Sequence, residues 1–150
     1  MVRRATVADA PAIHALRQRA IRESTAGLYR ADATEAWATG STEDDVRRKI
    51  AATAAYVAVH GGEIAGFAAL DGAEVDQLYV GPDHGGTGVA RRLLEAVEAD
   101  ARSSGLTELT AVASLRARPV FLRLGFTEAG RELRTFNGHA YEVSDVVKRL

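Results

Sequence analysis

The sequence predicts a layered α/β fold with a mixed, mostly antiparallel sheet, and two observations lead to this class. From Tyr56 onward, three segments with strand periodicity are separated by Gly61-Gly62 and Asp71-Gly72, which are strong two-residue hairpin signals. Helical patterns lie on both sides of this meander and alternate with later strand patterns, so a crossover should join parallel strands. We expect a twisted sheet of about seven strands flanked by about four helices.

The chain begins with a predicted strand and a predicted helix. A short strand is indicated by VRRATV at positions 2–7. Thr6 or Asp9 can cap the helix that follows, because both side chains accept hydrogen bonds from the free amides of a first turn. Ile13, Leu16 and Ala20 recur on one face of this helix and should be buried.

The next region is predicted to be irregular and then helical. We expect no regular element in STAGLYRADATEAWATG, where Tyr29 and Trp37 stand among small and polar residues. A second helix should begin at Thr42, because Thr42 and Asp45 have the spacing of a capping box and apolar residues follow at helical intervals.

After the meander, the chain predicts a helix, a strand, a short helix and a final strand pair. The first of these helices should stop at Gly105, and ELTAVA reads as a buried strand. A short helix in RARPVFLRLGF should end at Gly125, and the last two strands should meet near Asn137-Gly138. The apolar stripe predicted for the longer helix consists of Ala90, Leu93, Leu94, Val97 and Ala101.

Composition narrows the classes of partner. The 150 residues fit a single domain spanning 1–150, and 20 acidic against 19 basic residues give a net charge of −1, which offers no general attraction to nucleic acid or anionic lipid. No segment reaches the roughly 18 apolar residues of a membrane span. The absence of cysteine suits a reducing cytoplasm, and richness in Ala, Arg and Gly is typical of a bacterial coding bias. The histidines have no metal-ligand spacing, so no metal site is expected.

A glycine-rich loop is the main chemical signal. Gly85, Gly86 and Gly88 stand between a predicted strand and a predicted helix, where free amides can bind an anion such as phosphate. A tight strand-to-helix turn would explain the loop equally well on its own. Gly88 is followed by Val89 and Ala90 where a Walker A loop needs Lys and then Ser or Thr, and the strand before the loop belongs to a meander, which disfavours a dinucleotide fold.

Two separated motifs resemble the GNAT superfamily of acyl-CoA-dependent N-acyltransferases. GGTGVA, at 85–90, resembles the Q/R-x-x-G-x-G/A motif of that family in all but its first position. LYVGPDH resembles the preceding strand and hinge, and ASLRARPVFLRLGF resembles a late helix and strand of the family. The predicted order of elements agrees over essentially the whole chain.

The resemblance implies acetyl-CoA as co-substrate. The loop amides would hold its pyrophosphate, and its pantetheine arm would lie along the strand before the loop as an added strand, which requires that strand to be splayed from its neighbour. Arg91 could instead lie on a solvated face of its helix, and Phe121 could simply pack in the core. The residues that the resemblance assigns to the cofactor are Leu78, Tyr79, Val80, Gly85, Gly86, Thr87, Gly88, Val89, Ala90, Arg91, Ser114 and Phe121.

The same resemblance implies a general base. Attack on a thioester requires a neutral amine, so an acceptor with a pKa near about 10 must first lose a proton. Glu74 occupies the strand position where several family members place the base. Asp76 lies two residues later and would share its face in a regular strand, where it could attract a cationic amine. Both residues could instead be solvent-facing at the start of a strand.

Two positions depart from the family pattern. Gly85 stands where Gln or Arg is usual, so one side-chain donor to the cofactor is lost. Leu122 stands where a tyrosine commonly protonates the departing thiolate, so Ser114, Tyr141 or a water must do this if the thiolate does not leave unassisted. Ser114 can also act as a helix cap, and the two roles are compatible.

The expected activity is transfer of an acetyl group from acetyl-CoA to a primary amine by direct attack in a ternary complex. A small-molecule amine is favoured over a protein lysine or N-terminus. Tyr29, Trp37 and Asp76 are the expected acceptor contacts, although the two aromatic residues could simply pack helices. The alternative is a non-catalytic CoA-binding or sensing module of the same fold. Dimers are common in the family, which leaves a homodimer open.

Overall fold

The computed structural model describes residues 1–24, 27–136 and 138–150, and these form a seven-stranded mixed sheet, five α-helices and two short 3₁₀ turns. This confirms the predicted fold class. The strands are β1 (Val2–Arg4), β2 (Ala54–His60), β3 (Glu63–Asp71), β4 (Glu74–Val80), β5 (Glu108–Ser114), β6 (Thr127–Phe136) and β7 (His139–Arg149). The helices are α1 (Ala10–Ser24), α2 (Ala31–Thr39), α3 (Glu43–Ala52), α4 (Val89–Ser103) and α5 (Arg118–Arg123).

The strand order is β1-β2-β3-β4-β5-β7-β6, and the pairs are antiparallel except for β4 with β5. The predicted meander is β2-β3-β4. Gly61 and Gly62 form its first turn with φ values of 57° and 81°, which glycine adopts without strain. The second turn consists of Gly72 and Ala73, one residue later than the sequence indicates.

The parallel pair β4–β5 opens soon after it forms. In the described part of the chain its ladder is limited to Glu74 opposite Thr110, where the amide of Thr110 donates to the carbonyl of Ala73 at 2.9 Å. Beyond this point the strands diverge, although both continue for several residues. The sheet therefore has a cleft between a β1–β4 half and a β5–β7 half.

Helix α4 covers one face of the sheet and closes the larger core. Leu93, Leu94, Val97 and Ala101 of its predicted stripe are almost fully buried, and each large apolar side chain contributes about 1.5–3 kcal/mol through burial. The prediction for Ala90 is wrong, because Ala90 is only half-buried and Val89 is the buried residue at the start of the helix. Gly66 on β3 allows this close approach, because a Cβ there would lie 2.7 Å from Val89 and 2.8 Å from Leu93. The loop before α4 is thus held against the sheet.

Helices α1 and α3 cover the other face. Ile13, Leu16 and Ala20 of α1 are buried against β3 and β4, as their spacing predicts. Thr42 and Asp45 form the predicted capping box of α3, in which the amide of Asp45 donates to Thr42 Oγ1 at 3.1 Å.

The Thr6–Asp9 capping pair begins a 3₁₀ turn that leads into α1, with the amide of Thr6 donating to Asp9 Oδ2 at 2.8 Å. The two candidate caps therefore act together.

The expectation of an irregular segment around Tyr29 and Trp37 is wrong, because Ala31–Thr39 forms helix α2. Four alanines in this helix favour it locally, and the contact of its buried Ala33 and Ala38 with the rest of the fold stabilises it. Within the same stretch, Thr25 and Ala26 lie outside the described residues. So does Asn137 of the predicted final turn.

Across the described ranges, no helix combines the length and apolar character needed to cross a membrane.

Candidate active site

A β-bulge in β4 brings Asp76 to the cleft, whereas Glu74 lines neither of its cavities. Val75 pairs with Leu70 of β3 and Gln77 pairs with Ala69, so Asp76 is the extra residue between them. The side chain of Val75 packs in the α4 core, which places Glu74 and Asp76 on the opposite face. The two carboxylates therefore share a face, as the sequence predicts for a regular strand start.

Beyond the bulge, the backbone of β4 has polar groups free toward the cleft. The amide of Gly81 donates to Ala65 on β3 at 2.8 Å, so alternation directs Leu78 and Val80 away from β3. Arg116 supports this direction, because its Nη2 reaches the carbonyl of Leu78 from the β5 side at 3.3 Å. This strand edge is open to an added strand.

Two joined cavities occupy the cleft. The first, of about 380 Å³, is bounded by the bulged part of β4, the end of β5 and helix α2, and we call it the acceptor cavity. The second, of about 520 Å³, runs from β4 past the glycine loop to the start of α4 and the side of α5, and we call it the loop groove. Leu78, Arg116 and Ala117 line both cavities, so they mark the junction.

The glycine loop has the backbone geometry of an anion cradle. Gly86 and Gly88 have φ values of 75° and 82°, and Gly88 is the N-cap of α4. A Cβ at Gly86 would meet nothing within 4 Å, so open space lies before this part of the loop. Arg92 donates to the carbonyl of Thr87 at 3.2 Å and steadies the loop, whereas Arg91 lines the groove. The loop therefore fits a phosphate group held by amides and by the positive end of the α4 dipole.

The two carboxylates meet different surroundings. Asp76 lines the acceptor cavity and forms an ion pair with Lys49 of α3, a partner that the sequence did not indicate. Glu74 is half-buried at the start of β4. The pKa of Arg134 is raised chiefly by its hydrogen bond to Glu132, with smaller charge contributions from Asp145 and Glu74. Glu74 thus lies close enough to Arg134 to interact electrostatically.

Ser114 and Tyr141 both line the acceptor cavity, but their hydroxyl groups differ. Tyr141 donates its hydroxyl hydrogen to the carbonyl of Ala33, so protonation of a thiolate by Tyr141 would break that bond. Ser114 Oγ accepts from the amide of Ala117 at 3.2 Å, but Ala117 itself is the N-cap of α5, so Ser114 stabilises the turn before the helix and does not cap it; its hydrogen stays available. Leu122 is 42% exposed and lines neither cavity. The proton donor stays a prediction, which the geometry favours at Ser114.

Three aromatic rings form one wall of the acceptor cavity. Tyr29, Trp37 and Tyr141 are mutually edge-on, with centroid separations of 5.4 to 6.0 Å. Tyr29 also donates to the carbonyl of Glu142 at 3.0 Å and accepts from the amide of Leu115 at 2.9 Å. Burial raises the pKa of Tyr29. The rings thus pack together and face the cavity, so the two interpretations of Tyr29 and Trp37 are compatible.

Phe121 likewise packs in the core, with its ring centroid 5.0 Å from that of Phe126, and lines the acceptor cavity.

Three arginines that the sequence does not assign line the acceptor cavity, namely Arg17, Arg116 and Arg134, and Arg134 is paired with Glu132. The guanidinium carbon atoms of Arg17 and Arg116 lie 5.7 and 5.4 Å from the centroid of the Tyr79 ring. The sequence signal for Arg17 was its position beside Leu16 and before Ala20 and Ile21, on the buried stripe of α1, where a charged residue is unusual.

The sequence of this fold and site matches the model of one protein family. Residues 22–141 match the acetyltransferase (GNAT) domain. The chain belongs to the GNAT family of acetyltransferases. The resemblance of the loop and of the late helix is therefore confirmed, and acyl transfer is the activity of the family.

Solved structures show the same GNAT fold. A GCN5-related N-acetyltransferase from Rhodopseudomonas palustris, also described as an aminotransferase of class II, is 30% identical, with a TM-score of 0.95 over 100% of this chain and 95% of its own. PaiA N-acetyltransferase from Thermoplasma acidophilum, in complex with coenzyme A, is 15% identical, with a TM-score of 0.81 over 100% and 98%. YncA from Salmonella typhimurium, a putative acetyltransferase with its cofactor acetyl-CoA, is 23% identical, with a TM-score of 0.66 over 99% and 92%. Among curated protein sequences, none matches the chain significantly.

Proposed function

We propose that this chain transfers an acetyl group from acetyl-CoA to the primary amine of a small molecule within a ternary complex. The observation that carries this proposal is the continuous cleft between β4 and β5. It joins an amide cradle suited to phosphate with a cavity that contains a carboxylate. An acetyl donor in the loop groove and an amine in the acceptor cavity would meet at Leu78 and Arg116.

The chain's own groups fit the co-substrate. The amides of Gly86 to Ala90 would hold the pyrophosphate, with Arg91 beside it, and the open edge of β4 at Leu78 and Val80 would bind the pantetheine arm. When bound, acetyl-CoA supplies the acetyl group as an activated thioester. Arg116 donates a hydrogen bond to the carbonyl of Leu78. For the pantetheine arm to bind through that carbonyl, the Arg116 side chain must turn away.

The proton transfers are assigned to side chains of the acceptor cavity and its edge. Glu74 is the proposed base that takes a proton from the acceptor ammonium, directly or through a water, and Asp76 attracts that cation. Ser114 Oγ is the proposed relay to the leaving sulfur: as the C–S bond breaks, it passes its hydrogen to the sulfur and takes the proton that the attacking nitrogen still carries, since that hydrogen is not used in the bond from the amide of Ala117. Because Glu74 lines neither cavity, its proposed contact with the ammonium is the one through a water.

The test is a screen of primary amines with acetyl-CoA, following the release of CoA thiol and the mass of the acetylated product. We expect at least one small-molecule amine to be acetylated with stoichiometric release of thiol. A Gly86→Glu variant is the matched control, since its carboxylate would stand before the loop amides and should abolish CoA binding and turnover together.

Binding of CoA without turnover on any small molecule, peptide or protein amine would instead favour the non-catalytic module. Turnover confined to protein lysines or N-termini would contradict the small-molecule part of the proposal.

A further inference from the structure

The acceptor cavity contains two largely buried arginines, Arg17 and Arg116. Arg17 is 8% exposed, and burial lowers the pKa of Arg116. Among the described residues, no carboxylate lies within ion-pair distance of either guanidinium, although the chain forms many such pairs elsewhere. Both guanidinium groups thus lie beside the ring of Tyr79 without a counter-ion among the described residues.

Their existing hydrogen bonds leave donors unused. Arg17 reaches the carbonyls of Trp37 and Ala38 at 3.3 to 3.4 Å, which are long contacts for a charged donor. Arg116 donates to Leu78 at 3.3 Å, while its buried Nε has no hydrogen-bond partner in the described part of the chain. A guanidinium carries five N–H donors. Because burial of an unpaired charge is costly, such a pair is better explained by a ligand that supplies the missing acceptors.

The location of the arginines identifies which ligand they would meet. Arg17 lines the acceptor cavity and is not among the residues of the loop groove, so it does not serve the phosphates of a co-substrate held by the glycine loop. Arg116 stands at the junction of the two cavities. The anion that these side chains fit is therefore carried by the acceptor.

We propose that the acceptor is an amine that also carries a carboxylate, as an amino acid does, and that Arg17 and Arg116 bind this carboxylate beside the ring of Tyr79. A carboxylate offers two oxygens to the planar fork of a guanidinium, which suits a bidentate contact. The ammonium group of such a ligand would meet Asp76, which lines the same cavity, so the cavity offers a group of opposite charge to each charge of the ligand. This inference names the substrate class of the proposed acetyltransferase and rests on that function.

The first experiment compares acceptors that differ by one group. Each amino acid in the screen is paired with the amine obtained by removing its carboxylate, and kcat/KM is measured for both. We expect the amino acid to be preferred by about tenfold or more, since a site built for a polar group discriminates against its loss. Preference for the decarboxylated amine, equal use of both, or preference for a phosphorylated amine would overturn the inference and leave acetyl transfer standing.

The variants assign the preference to these side chains. Arg17→Met and Arg116→Met should each reduce the ratio of kcat/KM for the amino acid to that for its decarboxylated amine to near one. Arg116→Lys should keep part of this preference, because lysine keeps the positive charge. Arg19→Met is the matched control, since Arg19 is exposed on the same helix as Arg17, and it should keep the preference of the wild type. Loss of preference in the control as well, or its retention in both methionine variants, would contradict the assignment.

A binding measurement separates the two proposals. N-acetylated amino acids have a carboxylate and no reactive amine, so their binding to the wild type and the variants can be measured by calorimetry without any reaction. We expect the affinity to fall about tenfold in Arg17→Met and Arg116→Met and to be unchanged in Arg19→Met. Arginine-dependent binding without acetylation of any amine would support the anion site and contradict the enzyme. Lack of binding by the wild type would contradict the anion site alone.

Discussion

Glu74 and Asp76 share one face of β4, yet only Asp76 has a cationic partner at ion-pair distance among the described contacts. Asp76 is already engaged by Lys49, so the acceptor ammonium would share this carboxylate with the Lys49 side chain. Glu74 interacts with Arg134 only at longer range. The difference between the two carboxylates makes Glu74 the better proposed base and Asp76 a positioning group.

Replacement of Glu74 by Gln should therefore reduce kcat by about 100-fold or more at neutral pH, with the affinity for acetyl-CoA little changed. The rate of this variant should rise with pH, since the acceptor amine loses its own proton toward a pKa of about 10. Kinetics over a pH series and calorimetric titration with CoA measure both effects. Asp76→Asn is the comparison variant and should mainly raise KM for the amine. Wild-type kcat in Glu74→Gln would contradict the assignment.

Gly85 differs from the other loop glycines because its backbone does not need glycine. Its φ of −61° and ψ of 137° suit any residue, and a Cβ there would lie 3.9 Å from the nearest atom, the carbonyl oxygen of Pro82. Gly85→Arg should therefore fold normally and bind CoA several-fold more tightly, since it restores a donor beside the phosphate cradle.

Gly88→Ala is the contrasting variant at the loop. A φ of 82° is unfavourable for alanine, so this variant should lose about 1 kcal/mol of stability and bind CoA more weakly. Thermal unfolding and CoA titration distinguish the two variants. Destabilisation by Gly85→Arg, or a weakened affinity for CoA, would show that this position serves another purpose.

Gly66 on β3 allows the start of helix α4, and with it the glycine loop, to pack closely on the sheet. A Cβ at this position would clash with Val89 and Leu93 and stand 3.1 Å from the carbonyl oxygen of Tyr79. Gly66→Ala should cost about 1–3 kcal/mol of stability and weaken CoA binding, because the start of α4 must move from the sheet. Gly130→Ala is the control, since a Cβ there would meet only Asp145 at 3.8 Å. Urea unfolding and CoA titration measure both quantities, and equal effects of the two variants would contradict this account.

Asp9 joins strand β1 to the start of α1, and its role gives the stability a pH dependence. The pKa of Asp9 is lowered to about 2, chiefly by the hydrogen bond from Arg3. Burial raises this pKa in part, and the hydrogen bond from the amide of Thr6 lowers it further. The folded state therefore favours the ionised carboxylate, and this stabilisation is present above about pH 4 and is lost as the pH falls toward about 2.

Asp9→Asn should accordingly lower the free energy of unfolding by about 1–2 kcal/mol at pH 7, an amount reduced for the partial exposure of Arg3. The difference from the wild type should shrink between about pH 4 and pH 2, as measured by urea unfolding over a pH series. A difference that is constant with pH would assign the loss to helix capping rather than to the charge of Asp9.

At the scale of the whole molecule, the sequence predicts correctly those elements whose stability depends on residues close in sequence. The Gly61-Gly62 turn, the Thr42 capping box and the stripe of α4 each involve residues close in sequence, and all three are found. Helix α2 was missed because its stability depends on contacts with distant elements, such as the bond from Tyr141 to Ala33. The acceptor cavity was missed in part for the same reason.

Residues distant in sequence complete that cavity. Arg17 comes from α1 and Arg116 from the turn after β5, and Lys49, which pairs with Asp76 beside the cavity, comes from α3, so no spacing pattern connects them with Asp76 or Tyr79. The loop and β4 were identified because the resemblance rests on contiguous motifs. The charged residues proposed to select the acceptor come together only in the folded chain, so the sequence alone does not reveal them.

The split in the sheet gives a prediction for the molecule as a whole. The amides of Leu78 and Val80 face the cleft, whereas alternation turns Tyr79 toward β3, where Gly81 donates to Ala65. Without CoA, the Leu78 and Val80 amides should exchange with solvent faster than that of Tyr79. Saturating CoA should protect them together with Gly86 to Ala90, because a ligand along β4 fills the gap between the two halves of the sheet.

The same ligand should also raise the global stability, by about 2.7 kcal/mol at a concentration 100 times its Kd, since it binds only the folded cleft. Residue-resolved hydrogen exchange by NMR, with and without CoA, measures local and global protection in one experiment. Protection of the loop amides alone would mean that the pantetheine arm does not pair with β4. Equal protection of β5 and β7 and of β2 and β3 would show that CoA couples the two halves of the sheet, whose β4–β5 ladder in the described residues is limited to Glu74 opposite Thr110.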